Sequence, residues 1–552
     1  MSTRKITLVR KEIEEPDFEL SHDQLAAATH VGTPLIVLGG PGTGKTTVLI
    51  NAALARISAG VNPDSILLLT FGRERASQLR DAIALRTTET MFEPLARTFH
   101  SLAYSILKMK IAPNDPDPIL LSGPEQESFI RELLSGDIED GYKQWPEDLH
   151  KALSTHGFAR ELRDLILRAS ERSITPDQLA ELGEKMNENF WVAAAAFWKR
   201  YRGAMVMREM SAGDAKLRID PSELLGRATR HLQLNPDLLM NLRSRFSTIM
   251  VDEFQETDPA QRALLRALAG ADLVLAGDMD SAVGRFRGAD PEGMMRELDY
   301  YQSQSGKQII LKTVFRSEPE IFKLGVAMVS QFRSTSPTRT RTCAFEAEPA
   351  QRVEIARLKS TAEEAQYIAY QFRRAHLKNG VPYSHMAIIL RTPGVQSSAI
   401  RRAFSQVGIP VAGEIQALAG NAAIEPFLLI ARIAIKSALL TIENAEKLLL
   451  SELGGADAIS LRRIRRALLS HRLEGDLRPG NQLLIDAINT GDISIDECGP
   501  IIRVHDLLEK ARKILCKKDS RAEDLLWAIW NNALNSDGAS LSQTWQSTAL
   551  RG

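Results

Sequence analysis

The sequence is poor in cysteine and in aromatic residues, and its opposite charges cancel. The three cysteines, Cys343, Cys498 and Cys516, lie far apart and form no C-x-x-C pair. This spacing argues against a zinc or iron–sulfur site and fits a reducing cell interior. Lysine plus arginine and aspartate plus glutamate each number 69, so the net charge is zero and indicates no partner by itself. A nucleic-acid groove would therefore have to be a local basic surface.

The sequence also lacks an export signal and a long uninterrupted apolar segment. Its amino-terminal residues are charged and contain no apolar core of the kind that signal peptides need. The most apolar helical stretch, Phe427 to Leu440, is interrupted by Arg432 and Lys436, which favours a buried core helix over a membrane span. At 552 residues the chain is long enough for about three or four domains. We therefore expect a multidomain cytoplasmic protein with no membrane partner.

A glycine-rich loop between two regular patterns is the most informative feature that is present. Residues 36–47 read Ile-Val-Leu-Gly-Gly-Pro-Gly-Thr-Gly-Lys-Thr-Thr, an apolar run that leads into a match to G-x-x-x-x-G-K-[ST]. The next residues, Val48 to Arg56, have a helical pattern. Strand, loop and helix in this order predict a phosphate-binding loop, because backbone N–H groups and the helix N-terminus converge on phosphate oxygens. A chance glycine turn is the weaker alternative.

This loop supplies most of the candidate nucleotide-binding residues. We expect Lys45 to reach the β- and γ-phosphates of a nucleoside triphosphate and the Thr46 hydroxyl to bind Mg²⁺. The candidate binding residues in the loop are Gly39, Gly40, Pro41, Gly42, Thr43, Gly44, Lys45, Thr46 and Thr47.

Short apolar runs separated by helical patterns predict a parallel sheet that is buried on both faces. After the loop these runs are Ile66–Thr70, Ile249–Val251, Leu273–Ala276 and Ile309–Leu311. Helical patterns dominate between the first and second of them, which indicates a helical insertion. From Gln308 a second α/β unit is expected, with a buried strand at 386–391, and beyond about residue 437 the pattern is purely helical.

An acidic pair follows one of these predicted strands. Asp252 and Glu253 come directly after Thr248–Val251, at the edge where ligands bind in open α/β sheets. We expect Asp252 to hold Mg²⁺ through the water shell of the ion and Glu253 to polarise the attacking water as general base. Alone, such a pair would more often be a helix N-cap, but the continuation is Phe254-Gln255-Glu256-Thr257, in which Phe254 is expected to pack.

With D-E-F-Q-E-T the chain resembles the UvrD/Rep-like superfamily 1 DNA helicases, and other motifs of that family follow in order. The resemblance covers roughly residues 17–435 and rests on segments at separate places in the chain. These segments are Gln24 in Leu-Ser-His-Asp-Gln, Thr70-Phe71, Thr98-Phe99-His100, Arg218-Ile219-Asp220, Gly277-Asp278 with Phe286-Arg287-Gly288-Ala289, and Phe315-Arg316-Ser317.

The resemblance implies a role for each of these segments. Gln24 would read adenine, Phe315 would stack on the base of ATP, and Arg316 would contact the γ-phosphate. The implied single-stranded DNA contacts are Thr70, Phe71, Thr98, Phe99, His100, Phe286 and Arg287. Phe71, Phe99 and Phe286 could each stack a base at about 1–3 kcal/mol. The alternative for any of these rings is ordinary core packing, since phenylalanine is often buried.

Two basic helical segments are weaker candidates for contacts with nucleic acid. Residues 461–469, Leu-Arg-Arg-Ile-Arg-Arg-Ala-Leu-Leu, could grip duplex phosphates, although a solvated helix face explains the pattern equally well. The aromatic and basic residues of 190–202 are better explained as core.

The chain departs from the family pattern at several points. Ser281 replaces a glutamine that would bridge the γ-phosphate to the DNA, and Gly284 replaces a base-stacking tyrosine. Thr47 stands where many relatives have arginine. The T-x-H-x-x-K-G-L-E and V-T-R-A segments of the family do not occur. We therefore expect impaired coupling of hydrolysis to DNA and a second motor domain that is incomplete at its carboxyl-terminal side.

The resemblance predicts an α/β fold of P-loop RecA-like parallel-sheet motor domains with helical insertions. The predicted ranges are 1–115 with 226–305 for the first motor domain, 116–225 for its insertion, 306–436 for the second motor domain and 437–552 for its insertion, with a UvrD-like ATP-binding region over about 17–320. The irregular third motif resembles that of the weaker motor subunit of actinobacterial helicase–nuclease complexes.

The function implied is an ATP-dependent DNA helicase that uses ATP and Mg²⁺ and moves 3′ to 5′ on single strands in repair and recombination. Single-stranded or duplex-junction DNA would be the partner, with a second helicase or nuclease subunit as a further one. One alternative is a split-gene or truncated product that binds ATP and DNA without translocating. Another is an ATPase that acts on RNA or protein.

Overall fold

The computed structural model describes residues 19–91, 93–109, 117–211, 216–332, 336–344, 353–411, 421–472, 476–491, 495–517, 521–535 and 538–551. The chain divides into two compact units, Met1–Ile355 and Ala356–Gly552. No helix in these ranges has both the length and the apolar character that crossing a membrane requires.

All the strands of the described residues lie in the first unit. They are β1 (Leu35–Gly39), β2 (Ile66–Thr70), β3 (Ala96–Thr98), β4 (Asp117–Leu120), β5 (Lys216–Ile219), β6 (Thr248–Val251), β7 (Asp272–Gly277), β8 (Lys307–Leu311), β9 (Thr313–Val314) and β10 (Thr342–Cys343).

The helices of the first unit connect these strands or form the insertion. They are α1 (His22–Ala28), α2 (Lys45–Ser58), α3 (Arg73–Ala84), α4 (Phe99–Leu107), α5 (Gly123–Glu139), α6 (His156–Glu171), α7 (Pro176–Met186), α8 (Asn189–Ser211), α9 (Leu224–Leu234), α10 (Pro236–Arg245), α11 (Pro259–Leu268), α12 (Pro291–Ser303) and α13 (Pro319–Val329).

The first unit is built on a six-stranded parallel sheet in the order β3-β2-β6-β7-β1-β8. The predicted apolar runs are its strands, and every residue of β1, β2 and β6 is buried. Successive side chains alternate between the two faces of the sheet, so Ile36 packs in the core on one face and Val37 in the core on the other. The α/β fold with a parallel sheet is thus confirmed.

A separate two-stranded sheet is formed by the chain segments that enter and leave the helical insertion. Strand β4 pairs with β5 in parallel, and α5 to α8 lie between these two strands in sequence. These helices form a core of their own, in which Phe197 and Trp198 are buried, as their helical spacing indicated. Asp220, just after β5, accepts hydrogen bonds from Gln126 Nε2 at 2.9 and 2.8 Å and from the Tyr201 hydroxyl.

The strand over Ile309–Leu311 is present, but it does not begin a second sheet. As β8 it pairs with β1 in parallel, with Val37 opposite Ile309, and forms the edge of the first sheet. The prediction that a second α/β unit starts near Gln308 is therefore wrong at this strand, because an isolated strand next to β1 gains hydrogen bonds by completing the existing sheet. The other predicted domain boundaries stay predictions, and those at 1, 17, 115, 116 and 552 lie outside the described residues.

The second unit is helical in its described part. Its helices are α14 (Thr361–Asn379), α15 (Pro393–Gln406), α16 (Glu425–Ala434), α17 (Ile442–Leu450), α18 (Ala458–Ser470), α19 (Gly480–Thr490), α20 (Gly499–Leu515), α21 (Ala522–Asn532) and α22 (Leu541–Arg551). Helix α16 packs in the main core of this unit, as the apolar pattern of Phe427 to Leu440 indicated.

The strand predicted at 386–391 is wrong. These residues have no regular secondary structure, and Ile389 is 97% exposed. A strand needs a neighbouring strand for its backbone N–H and C=O groups. The described residues of the second unit offer none, apart from an isolated bridge between Leu534 and Ser540.

Candidate nucleotide and DNA site

The predicted phosphate-binding loop joins a buried strand to a helix. Strand β1 ends at Gly39, and α2 begins at Lys45. Gly44 precedes the helix with φ 86°, in the left-handed region that favours glycine. A Cβ atom at this position would also lie 2.5 Å from Gln24 Nε2, so the loop needs glycine here for both conformation and space.

Lys45 points into the loop and is only 8% exposed. Its Nζ donates to the backbone oxygens of Gly39 at 2.7 Å and Gly40 at 3.3 Å. Burial of a lysine ammonium is unfavourable without such partners. The charge is thus held at the centre of the loop by two weak acceptors, which an anionic phosphate could replace.

Gln24 is buried beside the loop, and its carboxamide is bonded at both ends. Nε2 donates to Thr43 O at 2.9 Å, and Oε1 accepts from Ser21 N at 3.0 Å in a capping box at the start of α1. The side chain therefore supports the loop in this conformation. Its role in reading adenine stays a prediction.

The acidic pair lies at the carboxyl end of β6, opposite the loop. Asp252 is fully buried, and the Thr46 hydroxyl donates towards its two oxygens at 3.3 and 3.2 Å. Burial raises the pKa of Asp252, and the Glu253 charge adds to the rise, while Arg75, Thr46 and Lys45 oppose it. A hydroxyl and a carboxylate in contact are hard oxygen donors of the kind that Mg²⁺ prefers, so this pair fits the ion.

Glu253 has an unusual backbone conformation for a non-glycine residue. Its φ is 53° and its ψ 46°, in the left-handed region. Such strain is found where the surrounding structure imposes it, often at active sites. The Glu253 Oε2 atom accepts a hydrogen bond from Gln255 Nε2 at 2.6 Å, and Phe254 between them is buried in the core as expected.

A single cavity of about 1130 Å³ lies against the loop and the acidic pair. Most of the predicted site residues line it. These are Pro41, Gly42, Gly44, Lys45, Thr46, Thr47, Thr70, Phe71, Thr98, Phe99, His100, Glu253, Phe286, Arg287 and Arg316. The predicted residues that do not line it are Gln24, Gly39, Gly40, Thr43, Asp252 and Phe315.

The segment after β9 returns to the loop. Phe315 N donates to Gly42 O at 2.9 Å, and the Phe315 ring is partly exposed. Arg316 is exposed, lines the cavity, and makes no hydrogen bond or ion pair with any described residue. A free guanidinium beside the phosphate loop can interact with a negatively charged phosphate.

The predicted DNA-contacting aromatics differ sharply in exposure. Phe286 is 72% exposed, with the Arg287 guanidinium 5.1 Å from its ring centroid. Phe71 is half-buried, and its ring centroid lies 5.8 Å from that of Phe99. Phe99 is 1% exposed and packs in the core of the sheet, so the prediction that its ring stacks a base is corrected. The first residue of α4 is turned inward because an apolar helix face must cover the sheet.

Other predicted DNA contacts are polar. Thr70 Oγ1 is buried and has no hydrogen-bond partner among the described residues, although Thr70 lines the cavity. Thr98 Oγ1 caps α4 by accepting from Ser101 N at 3.2 Å, and His100 in the same helix is exposed. These contacts with DNA stay predictions.

The irregular third motif has a structural explanation. A Cβ atom at Gly284 would lie 2.2 Å from Glu256 Oε2, so a tyrosine here would require that carboxylate to move. The same carboxylate accepts from the backbone nitrogens of Val283 and Gly284, each at 2.8 Å. The Ser281 hydroxyl donates to Asp278 rather than into the cavity.

A segment that the sequence did not single out completes this region. Thr338 Oγ1 donates to Asp278 Oδ1 at 2.7 Å, and Arg339 pairs with Asp280 through bonds of 2.7 and 2.9 Å.

A second residue that the sequence did not single out is Arg75. It lies in the first turn of α3 and contacts both Thr46 and Asp252. The sequence signal for Arg75 is its position in the first turn of the helix that follows β2. In open α/β sheets, ligands bind at the carboxyl ends of the strands, and the first turns of the helices that follow the strands lie at the same edge.

A known sequence family matches most of this site and ends before Phe315 and Arg316. The UvrD/REP helicase N-terminal domain, as a sequence family, matches residues 20–302. The chain belongs to this family. The match includes the phosphate loop, the acidic pair and the third motif, and the resemblance drawn from the motifs is confirmed.

Proteins similar to this chain include several that are named as DNA helicases. The chain is 25% identical to the ATP-dependent DNA helicase PcrA of Staphylococcus epidermidis over 402 residues, which cover 71% of this chain and 50% of the relative. It is 26% identical to DNA helicase II of Escherichia coli over 397 residues (71% and 51%). It is also 26% identical to the ATP-dependent DNA helicase UvrD1 of Mycobacterium tuberculosis over 403 residues (71% and 49%). The chain thus spans about half the length of these relatives.

Proposed function

We propose that this chain binds ATP with Mg²⁺ and hydrolyses it in response to single-stranded DNA, as part of a DNA helicase that moves 3′ to 5′ in repair or recombination. The observation that carries the proposal is the continuity of one cavity. Lys45, Thr46 and Arg316 line it together with the exposed Phe286 and Arg287. A nucleotide and a DNA strand that share one cavity can influence each other directly.

The phosphates of ATP would be bound by groups already directed at the loop. Lys45 would transfer its hydrogen bonds from the carbonyls of Gly39 and Gly40 to the β- and γ-phosphates. The first N–H groups of α2, which begins at Lys45, would donate to the same oxygens. Arg316 would neutralise charge that develops on the γ-phosphate. A Mg²⁺ ion held by Thr46 and Asp252 would supply further neutralisation of the phosphate oxygens.

Glu253 would orient the attacking water and accept its proton. It lines the cavity, and its carboxylate is held by Gln255. A general base must have both a suitable position and a fixed orientation, and the strained backbone at Glu253 serves the position.

The DNA strand would lie along the aromatic and basic side of the cavity. Phe286 offers an exposed face for stacking without base readout, and Arg287 offers a cation for the backbone. Contact of duplex-junction DNA with α18, a second helicase or nuclease subunit as partner, a cytoplasmic location and the actinobacterial subfamily stay predictions from the sequence.

Steady-state ATP turnover, with and without single-stranded DNA, tests the proposal. We expect turnover to rise on addition of single-stranded DNA and to fall to background in Lys45→Ala and Glu253→Gln. Lys185→Ala, at an exposed lysine of α7 outside the cavity, is the matched control and should leave turnover unchanged. Turnover that survives Lys45→Ala, or that is stimulated by RNA or not at all, would contradict the proposal.

A strand-displacement assay separates translocation from ATP use. Turnover that responds to DNA without displacement of a 3′-tailed duplex would favour the alternative of a partner subunit that binds ATP and DNA but does not translocate.

A further inference from the structure

Arg75 links the two groups that fit a magnesium ion. Its Nη2 donates to Thr46 Oγ1 at 2.8 Å and lies 3.4 Å from Asp252 Oδ2. Thr46 Oγ1 in turn donates towards Asp252. The guanidinium therefore bridges the hydroxyl and the carboxylate from the cavity side, where Arg75 is part of the lining.

The position of Arg75 follows from the end of β2. That strand ends at Thr70, Gly72 turns the chain with φ 85°, and α3 begins at Arg73. A residue in the first turn of α3 is thereby brought to the edge of the sheet where Asp252 follows the neighbouring strand β6. The side chain is 36% exposed, so it has room to leave the bridge.

The Arg75 guanidinium and a divalent cation would compete for the same two oxygens, Thr46 Oγ1 and Asp252 Oδ2. Mg²⁺ binds oxygen ligands at about 2.0–2.1 Å and demands a near-octahedral arrangement. Arg75 Nη2, at 2.8 Å from Thr46 Oγ1, leaves no room on that side of the hydroxyl for a Mg²⁺ ion with its octahedral set of ligands. The positive charges would in addition repel each other beside one buried carboxylate.

We propose that Arg75 is a tethered cation that competes with Mg²⁺ for Thr46 and Asp252, so that binding of Mg²⁺ with nucleotide requires the Arg75 side chain to turn away. This inference rests on the proposed nucleotide site. While Arg75 is in the bridge, its Nη1 also lies 3.5 Å from Gln78 Oε1, one turn along α3, so Gln78 gives the guanidinium a further acceptor there. Arg75 thereby sets the Mg²⁺ concentration at which the site fills.

Two measurements on the full chain test this role without reference to turnover. Mn²⁺ binding, counted by electron paramagnetic resonance in the absence of nucleotide, reports the cation site directly. Binding of a fluorescent ADP analogue, followed as Mg²⁺ is titrated, reports the cation requirement of the nucleotide. We expect Arg75→Gln to lower the half-saturating concentration of either cation by about threefold to tenfold, the range for loss of one partly exposed competing ion pair.

Arg160→Gln is the matched control, because Arg160 is an exposed arginine of α6 that does not line the cavity. It should leave both half-saturating concentrations unchanged. Equal or higher values in Arg75→Gln than in the unaltered chain, or no bound Mn²⁺ in either chain, would overturn the proposal. Absence of nucleotide binding at any cation concentration, with a shifted Mn²⁺ affinity in Arg75→Gln, would instead overturn the proposed function and leave the competition at the cation site intact.

Discussion

Gln255 donates from Nε2 to Glu253 Oε2 across 2.6 Å, and its Oε1 accepts from Asp278 N at 2.9 Å. One buried carboxamide thus connects the acidic pair after β6 to the third motif after β7. Because Phe286 and Arg287 follow in that motif, the connection offers a short route between the proposed DNA side of the cavity and the proposed general base. Ser281, whose hydroxyl is turned to Asp278, does not supply such a route.

We predict that Gln255→Glu lowers ATP turnover while nucleotide binding is retained. The substitution removes the donor to Glu253 and places a second carboxylate beside it, which raises the proton affinity of both groups. Steady-state turnover should fall by about tenfold or more, as expected when a general base is mispositioned. Gln233→Glu, at an exposed glutamine of α9, is the control for the added charge. Equal turnover in the two variants would show that Gln255 does not position Glu253.

Glu256 and Gly284 make a second testable pair. A Cβ atom at Gly284 would lie 2.2 Å from Glu256 Oε2 and would move this carboxylate away from the backbone nitrogens of Val283 and Gly284. Because these two hydrogen bonds would be lost, we predict that Gly284→Ala lowers the free energy of unfolding by about 1–3 kcal/mol. In Glu256→Ala the clash is absent, and the added cost of Gly284→Ala should shrink by at least half. Chemical denaturation of the two single variants and the double variant measures this coupling. Additive losses would contradict the clash.

The sheet and the phosphate loop were predictable because they depend on local pattern. Strand β2 coincides with the apolar run Ile66–Thr70, and a strand, a glycine turn and a helix need only neighbouring residues to form. Burial of the aromatics was not predictable in the same way. Phe99 and Phe286 both lie in motifs near strand ends, yet the first is buried and the second exposed, since each depends on what the rest of the chain packs against it.

Contacts between segments that are distant in the chain could not be predicted from the sequence. Thr338 bonds Asp278, and Arg75 reaches Asp252, although neither pair is linked by a periodic pattern. The placement of β8 failed for the same reason: its apolar run predicts a strand, but only the exposed edge of β1 decides which sheet that strand joins.

We expect the exposed ring of Phe286 to contribute measurably to the affinity for single-stranded DNA. We expect Phe286→Ala to weaken binding of single-stranded DNA by about 1–3 kcal/mol, with little dependence on base sequence, because stacking uses the face that every base has. Fluorescence anisotropy with labelled oligonucleotides at fixed salt measures the loss. Phe332→Ala, at another exposed phenylalanine that does not line the cavity, should bind as tightly as the unaltered chain. The DNA side of the cavity would be wrongly assigned if both variants behaved alike.

Asp258 predicts how the stability of the first unit depends on pH. This residue caps α11 by accepting from Gln261 N at 2.7 Å, and burial raises its pKa to about 7 from an ordinary 3.8. A raised pKa in the folded state means that the folded chain holds a proton that the unfolded chain has already lost. The stabilising contribution is therefore complete below pH 3.8, declines as the pH rises, and is lost above about pH 7.

We predict that Asp258→Asn removes this decline, because an amide oxygen can still accept from Gln261 N but carries no charge to bury. Between pH 5 and pH 8 the free energy of unfolding of the unaltered chain should fall relative to the variant by on the order of a few kcal/mol. Asp457→Asn is the matched control, since Ser460 holds the pKa of this exposed N-cap of α18 below its ordinary value. At this position the free energy of unfolding of the unaltered chain, relative to Asp457→Asn, should change only at acidic pH, and there it should rise with pH rather than fall. Parallel pH profiles for the unaltered chain and Asp258→Asn would mean that the Asp258 carboxyl is charged in the folded protein throughout this range.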